Sequence, residues 1–559
     1  MTRLAICLIL LAGAGTTLAQ STRPTLPSVG SFIPDKEMLS SQAAVRVDRL
    51  KFEGNTVFDN AALLATPIQF ADDSPGTSRT IGDLLGGELT LEQLEQIRVA
   101  LTLKYVDAGY INSGAVIPDQ PVTAEQTILI RIVEGTLNRI DITGRKRLRE
   151  SYIADRIRRA ASGPLNVLKL RDELEILRQD PRLRRINAEL RPGEQPGEGL
   201  LDVDIEEARP YQFAVQFSNR RPPSVGAERF EAYASHLNVS GFGDSINLRY
   251  GINRGDLSDW EWAGLEDFDL DYTIPLSASG TTLALTVSRS DSTLVEQPFD
   301  LLDLDTQSTR FSILVRQPIR RTPTSELAAF VGLTAQYTTT EILGERQSIS
   351  PGARGGESNV TAIRFGAEYY TQSTKAAFSI RSTFAVGLGA LDSTVNAGDI
   401  PDSQFISWLG QAQYVHRIGE TEAQLILRAS TQLTPDSLLS PEQFAIGGVD
   451  TVRGYRENQI VRDNGIVGTI EFRLPVWTRR ATREPILQLV PFFDAGYGFN
   501  RTQEPVGEFL GSVGAGLIFT PSDRVTAEVF YGRRLNDVSD DSGNLQDYGW
   551  HFNIVIRAF

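Results

Sequence analysis

Tyr211-Gln212-Phe213-Ala214-Val215-Gln216-Phe217-Ser218 carries an apolar side chain at every second residue, with small or polar ones between. That period puts the two sets on opposite faces of an extended strand. The pattern returns at Ile246/Leu248/Tyr250, Phe268/Leu270/Tyr272/Ile274, Leu283/Leu285/Val287, Phe311/Ile313/Val315, Val513/Ala515/Leu517/Phe519 and Val525/Ala527/Val529/Tyr531. Sixteen such segments are expected, starting near residues 211, 229, 244, 265, 281, 309, 326, 358, 376, 403, 421, 465, 487, 508, 524 and 547. Links after even-numbered segments are short, as at Ser240-Gly241-Phe242-Gly243, Ser277 to Gly280 and Pro521-Ser522. Several links after odd-numbered ones are long: 341–357, 391–402 and 434–464. An even strand count with this asymmetry describes a transmembrane antiparallel β-barrel over residues 209–559, with short turns inside and long loops outside. Lipid cannot satisfy an open strand edge, so the sheet must close. A soluble multi-sheet protein would also alternate, but it would not need short and long links in turn.

Composition agrees. After residue 20 no run of 18 apolar residues occurs, so helical membrane spans are not expected. Residues 1–19 read as a secretory signal: Arg3, an apolar stretch from Leu4 to Ala14, then Thr17-Leu18-Ala19 before Gln20. The one cysteine, Cys7, lies inside it, which excludes disulfides and thiolate chemistry from the mature chain. The net charge of −15 argues against nucleic acid as a partner. Residues 139–191 nevertheless hold 15 Lys/Arg against 8 Asp/Glu. Two readings stay open there: a solvated helical surface, or a surface for an acidic partner segment or lipid head groups.

Upstream of the barrel a pattern occurs twice at an offset of 90 residues: Val47-Asp48-Arg49-Leu50-Lys51-Phe52-Glu53-Gly54 and Leu137-Asn138-Arg139-Ile140-Asp141-Ile142-Thr143-Gly144. Each copy reads as a half-buried strand ending at a turn glycine, Gly54 or Gly144. Helices follow. Leu91, Leu94, Ile97 and Leu101 share a helical face, begun by a Thr90/Gln93 capping box and ended at Gly109. Leu170, Leu174 and Leu177 do the same in the second copy, and strands at Gly114–Ile117, Ile128–Val133 and Leu201–Glu206 complete the modules. The expected domains are a lead-in at 20–43 and two α+β modules at 44–135 and 136–208.

The link 434–464 contains Phe444-Ala445-Ile446-Gly447-Gly448-Val449-Asp450-Thr451-Val452-Arg453-Gly454-Tyr455, apolar and glycine-rich around one arginine. Such a segment suits a loop folded into the lumen, where Arg453 needs a partner because an unpaired charge away from bulk water is costly. In Phe492-Phe493-Asp494-Ala495-Gly496 the alternation puts Asp494 on the face opposite Phe493, so it can meet Arg453 in the lumen.

The paired modules resemble POTRA domains, with Phe52 through Phe58 as the most characteristic turn. With the barrel, the chain resembles the two-partner secretion transporters, the haemolysin and haemagglutinin secretion/activation family. Val452-Arg453-Gly454-Tyr455 matches that family's loop tip, Phe492/Asp494/Gly496 its strand motif, and Asn238 through Asp244 its glycine-rich turn; the likeness covers residues 44–559. It implies an outer-membrane transporter whose periplasmic POTRA modules capture an unfolded exoprotein, which then folds outside, commonly as a β-helical adhesin or haemolysin-like protein, without ATP. Outer-membrane lipid and the barrel assembly machinery are the other implied partners. Two features depart from the pattern. Pro24, Pro27 and Pro34 make a long plug helix in 20–43 doubtful, and Phe552, Ile554 and Ile556 alternate out of phase with Phe559, implying a bulged or irregular last strand.

His236, His416 and His551 fall in different strands and read as barrel-wall or interface residues, while Asp303 and Asp305 read as an acidic external loop, either simply solvated or able to bind a cation. No catalytic residue, metal ligand set or cofactor is expected. An insertase that assembles other outer-membrane proteins is the alternative, although such proteins generally carry more POTRA modules; a passive porin would need no periplasmic arms.

Overall fold

The computed structural model describes residues 44–70, 79–120, 126–254, 262–296, 303–419, 422–501, 507–538 and 543–558. The expected secretory signal, the expected lead-in with its prolines and Phe559 lie outside these residues. The chain divides into two compact units at Ala208/Arg209.

In the unit before that division, each module builds one three-stranded sheet by the same rule, and the first adds two two-stranded pairings. In the first, Arg49–Glu53 pairs parallel with Thr127–Val133, which pairs antiparallel with Gly114–Val116. In the second, Thr136–Thr143 pairs parallel with Glu198–Glu207, which pairs antiparallel with Leu183–Pro192. Helix Leu91–Asp107 covers the first sheet, and helices Glu150–Ala160 and Val167–Arg178 cover the second. Leu94, Ile97, Leu101 and Tyr105 are buried, but Leu91 is 67% exposed: as the first residue after the Thr90 cap it projects before the packed face begins. The capping box is present, with Gln93 N–H donating to the Thr90 hydroxyl at 3.2 Å and Thr90 N–H to Gln93 Oε1 at 3.0 Å.

Asn166 joins the modules. Its Oδ1 caps its own helix at Leu168 and Lys169, while its Nδ2 donates to the Ala108 carbonyl that ends the first module's long helix. One side chain thus satisfies orphan groups at two helix ends.

The turn glycines are conformationally required. Gly54 has φ +84° and Gly144 φ +81°, and a Cβ on either would fall 2.4 Å from the Ile132 carbonyl oxygen or 2.0 Å from that of Ile205. A carboxylate two residues after each isoleucine holds the turn. Glu134 accepts the N–H groups of Thr56 and Val57 and the hydroxyls of Thr56 and Tyr105. Glu207 accepts the N–H groups of Lys146, Arg147 and Leu148. Burial pushes both carboxyls up, but these donors outweigh it and both sit below the ordinary value of 4.5. Because the folded-state pKa is depressed, this stabilisation is complete above about pH 4.5 and is lost as pH falls through the folded value. Glu134→Gln and Glu207→Gln are expected to lower stability at pH 7 and to flatten its acid dependence, measured by thermal unfolding from pH 3 to 7. An unchanged acid profile would remove the clamp from the account.

The second unit is a closed antiparallel barrel. Its sixteen strands among the described residues are Tyr211–Ser218, Glu228–His236, Ser245–Arg254, Trp262–Pro275, Thr282–Thr293, Leu304–Arg321, Ser325–Ile342, Val360–Gln372, Ala376–Leu388, Ile406–Arg417, Gln424–Leu433, Asn464–Thr478, Pro485–Phe499, Gly507–Ser522, Val525–Arg534 and Trp550–Arg557. Each begins within five residues of its expected start. Glu345–Arg346 adds only a short flap on the seventh strand, which pairs directly with the eighth.

Register explains the two faces. Phe213, Ala234, Leu248, Leu270, Val287, Phe311 and Ala335 are consecutive cross-strand partners and face outward. One residue along, Ala214, Tyr233, Arg249, Asp269, Ser288, Arg310 and Gln336 form the neighbouring inward row. Aromatic and aliphatic groups such as Phe311, Ile313, Val331 and Phe509 stay about half exposed, as lipid-facing groups must.

Two expectations change. Asp305 belongs to the sixth strand, where it accepts the Thr293 hydroxyl, and the Asp303 carbonyl accepts Leu343 N–H; the strand starts earlier than alternation alone indicates, so this is no open acidic loop. The last strand pairs in unbroken register with both neighbours through Ile556 and Arg557, so no bulge lies within it. Among the described residues its register with the first strand spans Ala214–Ser218, the shortest joint between neighbouring barrel strands, with one further backbone bond from Ala558 N–H to the Phe213 carbonyl. Beyond that overlap Asn219 extends the joint with backbone and side chain together: its N–H donates to the Phe552 carbonyl at 3.3 Å, Nδ2 donates to the Trp550 carbonyl and Oδ1 accepts Phe552 N–H.

Candidate luminal loop lock

Thr434 to Asp463 links the eleventh and twelfth strands and folds against the inner wall. Phe444–Ile446 and Ile460–Arg462 form a small hairpin. Phe444, Ile446, Val452, Tyr455 and Ile460 are buried and pack with Val467 and Leu510 of the wall. The loop therefore has its own apolar core, which accounts for its composition. Gly447, Gly448 and Gly454 have φ of +115°, +96° and +91°. At Gly454 a Cβ would lie 2.6 Å from the Gly532 carbonyl oxygen, so loop tip and fifteenth strand touch backbone to backbone.

Arg453 is 2% exposed and Asp494 0%. Arg453 Nε donates to Asp494 Oδ2 at 2.7 Å, Nη2 to Oδ1 at 2.9 Å, and the Arg453 backbone N–H also reaches Oδ2, at 3.1 Å. This is the bidentate fork that a guanidinium makes and an ammonium cannot. The guanidinium carbon lies 3.6 Å from the centre of the Phe492 ring, which adds a cation–π contact. Gly496 has no room for a side chain: its Cβ would meet Ile446 at 2.6 Å.

Sequence reading did not bring four further members to the loop tip, although it placed one of them, His551, in the barrel wall or an interface. Glu471 accepts Arg453 Nη1 at 2.7 Å while also binding Arg428 and Arg473, so one carboxylate is shared by three guanidinium groups. His551 Nε2 accepts Gly454 N–H at 3.1 Å, which leaves Nδ1 to carry the ring proton. Arg534 Nε donates to the Gly454 carbonyl at 2.7 Å. Gln546 accepts Glu457 N–H and donates to the carbonyls of Asn219 and Arg221. Alternation carried a signal for two of these: Glu471 and His551 sit in the inward phase of their strands, between Ile470 and Phe472 and between Trp550 and Phe552. His236 and His416 instead face outward, each in aromatic contact, with Tyr211 and Tyr414.

The loop is tied at its tip to strands twelve, thirteen, fifteen and sixteen, an arrangement that can hold a conformation of the lumen. A family model described as "Haemolysin secretion/activation protein ShlB/FhaC/HecB" matches residues 197–519, and one described as "POTRA domain, ShlB-type" matches 69–135. The outer membrane transporter CdiB of Dickeya dadantii is 23% identical over 74% of this chain and 72% of its own length. The heme/hemopexin transporter protein HuxB of Haemophilus influenzae is 22% identical over 83% and 81%. The solved structure of CdiB from Escherichia coli superposes with a TM-score of 0.68 at 18% identity, covering 94% of this chain and 93% of that one. BamA from Haemophilus ducreyi, lacking its POTRA domains 1–3, shares the fold at a TM-score of 0.52 and 11% identity. With the family model spanning more than half of its residues, the chain belongs to the haemolysin secretion/activation proteins and is an outer-membrane transporter of exported protein.

Proposed function

We propose that this transporter serves one or a few large secreted polypeptides, taken as unfolded chain by the two periplasmic modules and passed through the barrel. The loop 434–464 holds the barrel in its working conformation through Arg453, Asp494 and Glu471. The exported partner is a β-helical protein of the adhesin or haemolysin kind, and its folding outside supplies direction without ATP. The transporter itself reaches the membrane through the barrel assembly machinery and catalyses no reaction.

The buried, doubly anchored Arg453 carries this reading, because a passive pore gains nothing from a charged loop sealed against its inner wall. Removing the gene is expected to strip one or a few large proteins from the cell surface while the other outer-membrane barrels persist. Surface proteomics reads the result. A broad loss of barrel proteins would instead mean that the chain is an insertase, the reading that the BamA likeness keeps in play.

A further inference from the structure

The barrel wall itself fixes where its outer face meets lipid. On that face the row of cross-strand partners Ile554, Ala527, Phe519 and Leu487 reaches Trp477 on the twelfth strand. A bulge puts the tryptophan there. Leu474 opposes Leu489 and Pro475 opposes Gln488, but Leu487 is opposed by Trp477 rather than by Val476. Without that extra residue the indole would face the lumen. Trp477 is instead 58% exposed, at the edge of the lipid-facing band where tryptophan suits the boundary between acyl chains and head groups.

Two turns follow directly beyond this row. Arg479, Arg480 and Arg483 lie between strands twelve and thirteen, and Arg524 lies between fourteen and fifteen. Arg479 pairs with Glu484 at 3.4 Å and donates to the Pro521 carbonyl at 3.1 Å, so the two turns are joined. Arg480, Arg483 and Arg524 are exposed, and among the described residues their side chains have no hydrogen-bond or ion-pair partner. Asp523 is the one other carboxylate in these turns. The fold does not call for the cations. Arg483 has φ +62°, a left-handed backbone that glycine adopts freely and arginine only at a cost. The turns Ser277–Gly280 and Thr322–Thr324 at the same end of the barrel carry no charged residue, so the arginines mark one place on the rim.

Arg480 is three residues from Trp477 and Arg483 four from Leu487, at most about 10–14 Å of extended chain. The cations therefore stand at head-group level, within roughly a Debye length, ~10 Å, of the phosphates. Guanidinium groups bind phosphate oxygens as a fork, and a net anionic lipid brings no ammonium of its own to compete.

We infer that Arg480, Arg483 and Arg524, with Trp477 at the acyl boundary, form a site for an anionic phospholipid of the leaflet that meets the short turns, the periplasmic one in barrels of this kind.

Full-length protein carrying Cys7→Ser and either Thr482→Cys or Ser277→Cys would be labelled with a fluorophore and reconstituted in phosphatidylcholine bilayers. Thr482 and Ser277 are both exposed, one in the basic turn and one in an uncharged turn at the same end. Trace phosphatidylglycerol or phosphatidylcholine with a nitroxide on its acyl chain is the quencher, and the ratio of the two quenching efficiencies reads local enrichment of anionic lipid. At low salt a ratio of about three or more is expected at Thr482 and about one at Ser277, the first falling as salt is added. Arg480→Gln/Arg483→Gln/Arg524→Gln should bring the ratio at Thr482 down to about one. Arg483→Gly alone relieves the left-handed backbone. It is expected to keep or raise the resistance of the barrel to heat while lowering the ratio, so misfolding cannot explain the loss. A ratio of one at Thr482, equal ratios at both turns, or unchanged ratios in these variants would overturn the inference. So would loss of the ratio on adding inorganic phosphate at constant ionic strength, which would assign the cluster to a soluble anion.

Discussion

Arg453→Ala abolishes most export while the barrel stays folded and inserted: that is the expected result of the most consequential single change. The substitution leaves Asp494 fully buried without the guanidinium that pairs it, whereas Glu471 keeps Arg428 and Arg473. Breaking one side of a buried ion pair costs roughly 3–5 kcal/mol, less where lumen water reaches the orphaned group. The barrel wall is held by continuous backbone pairing and does not depend on this contact. The loop does, so the cost falls on its docking. Arg453→Lys is expected to rescue little, because one ammonium cannot span both Asp494 oxygens and Glu471. Asp494→Ala should resemble Arg453→Ala, and the double variant should lose far less than the sum. Export of the partner, protease access to 447–459 and heat-modifiable migration of the barrel read the three parts. Normal export in both single variants would end the proposed role.

Gly144→Ala should be the most damaging small change in the periplasmic unit. The added methyl would stand 2.0 Å from the Ile205 carbonyl oxygen, and φ is +81°. Relief requires the strand Glu198–Glu207 to leave its register with Thr136–Thr143. Gly163 is the control: its φ is +78°, but nothing lies within 4 Å of its would-be Cβ. Gly163→Ala should therefore cost about 1–2 kcal/mol, the left-handed backbone penalty alone. Gly144→Ala should cost about 2–3 kcal/mol more, from overpacking. Urea unfolding of the two variants gives the difference; equal losses would show that the steric argument fails.

Much of this molecule was legible because two signals are periodic. Alternation marked the wall from Tyr211 onward, and the 90-residue offset between Gly54 and Gly144 marked the modules. The Arg453–Asp494 contact was readable because a charge in an apolar loop and a carboxylate in the inward phase each need the other. Glu471 was missed although its phase was visible, since many inward residues are polar and phase alone does not choose among them. Gln546 and Asn219 were beyond reach: 327 residues separate them, and only closure brings them together. Strand ends were read less well than strand centres. Asp305 shows why, because beyond the bilayer both faces of a strand meet water and alternation no longer reports pairing.

A barrel is a hoop, and a hoop under outward load is as strong as its weakest joint. Among the described residues that joint is the five-residue overlap of Ala214–Ser218 with the last strand, against seven to seventeen paired residues elsewhere around the ring. Asn219 acts as a rivet just beyond it, and Gln546 ties that rivet to the inward loop. Tension in the wall and the seating of the loop are therefore not separate mechanical quantities: slackening the loop removes support from the stave joint that has least to spare.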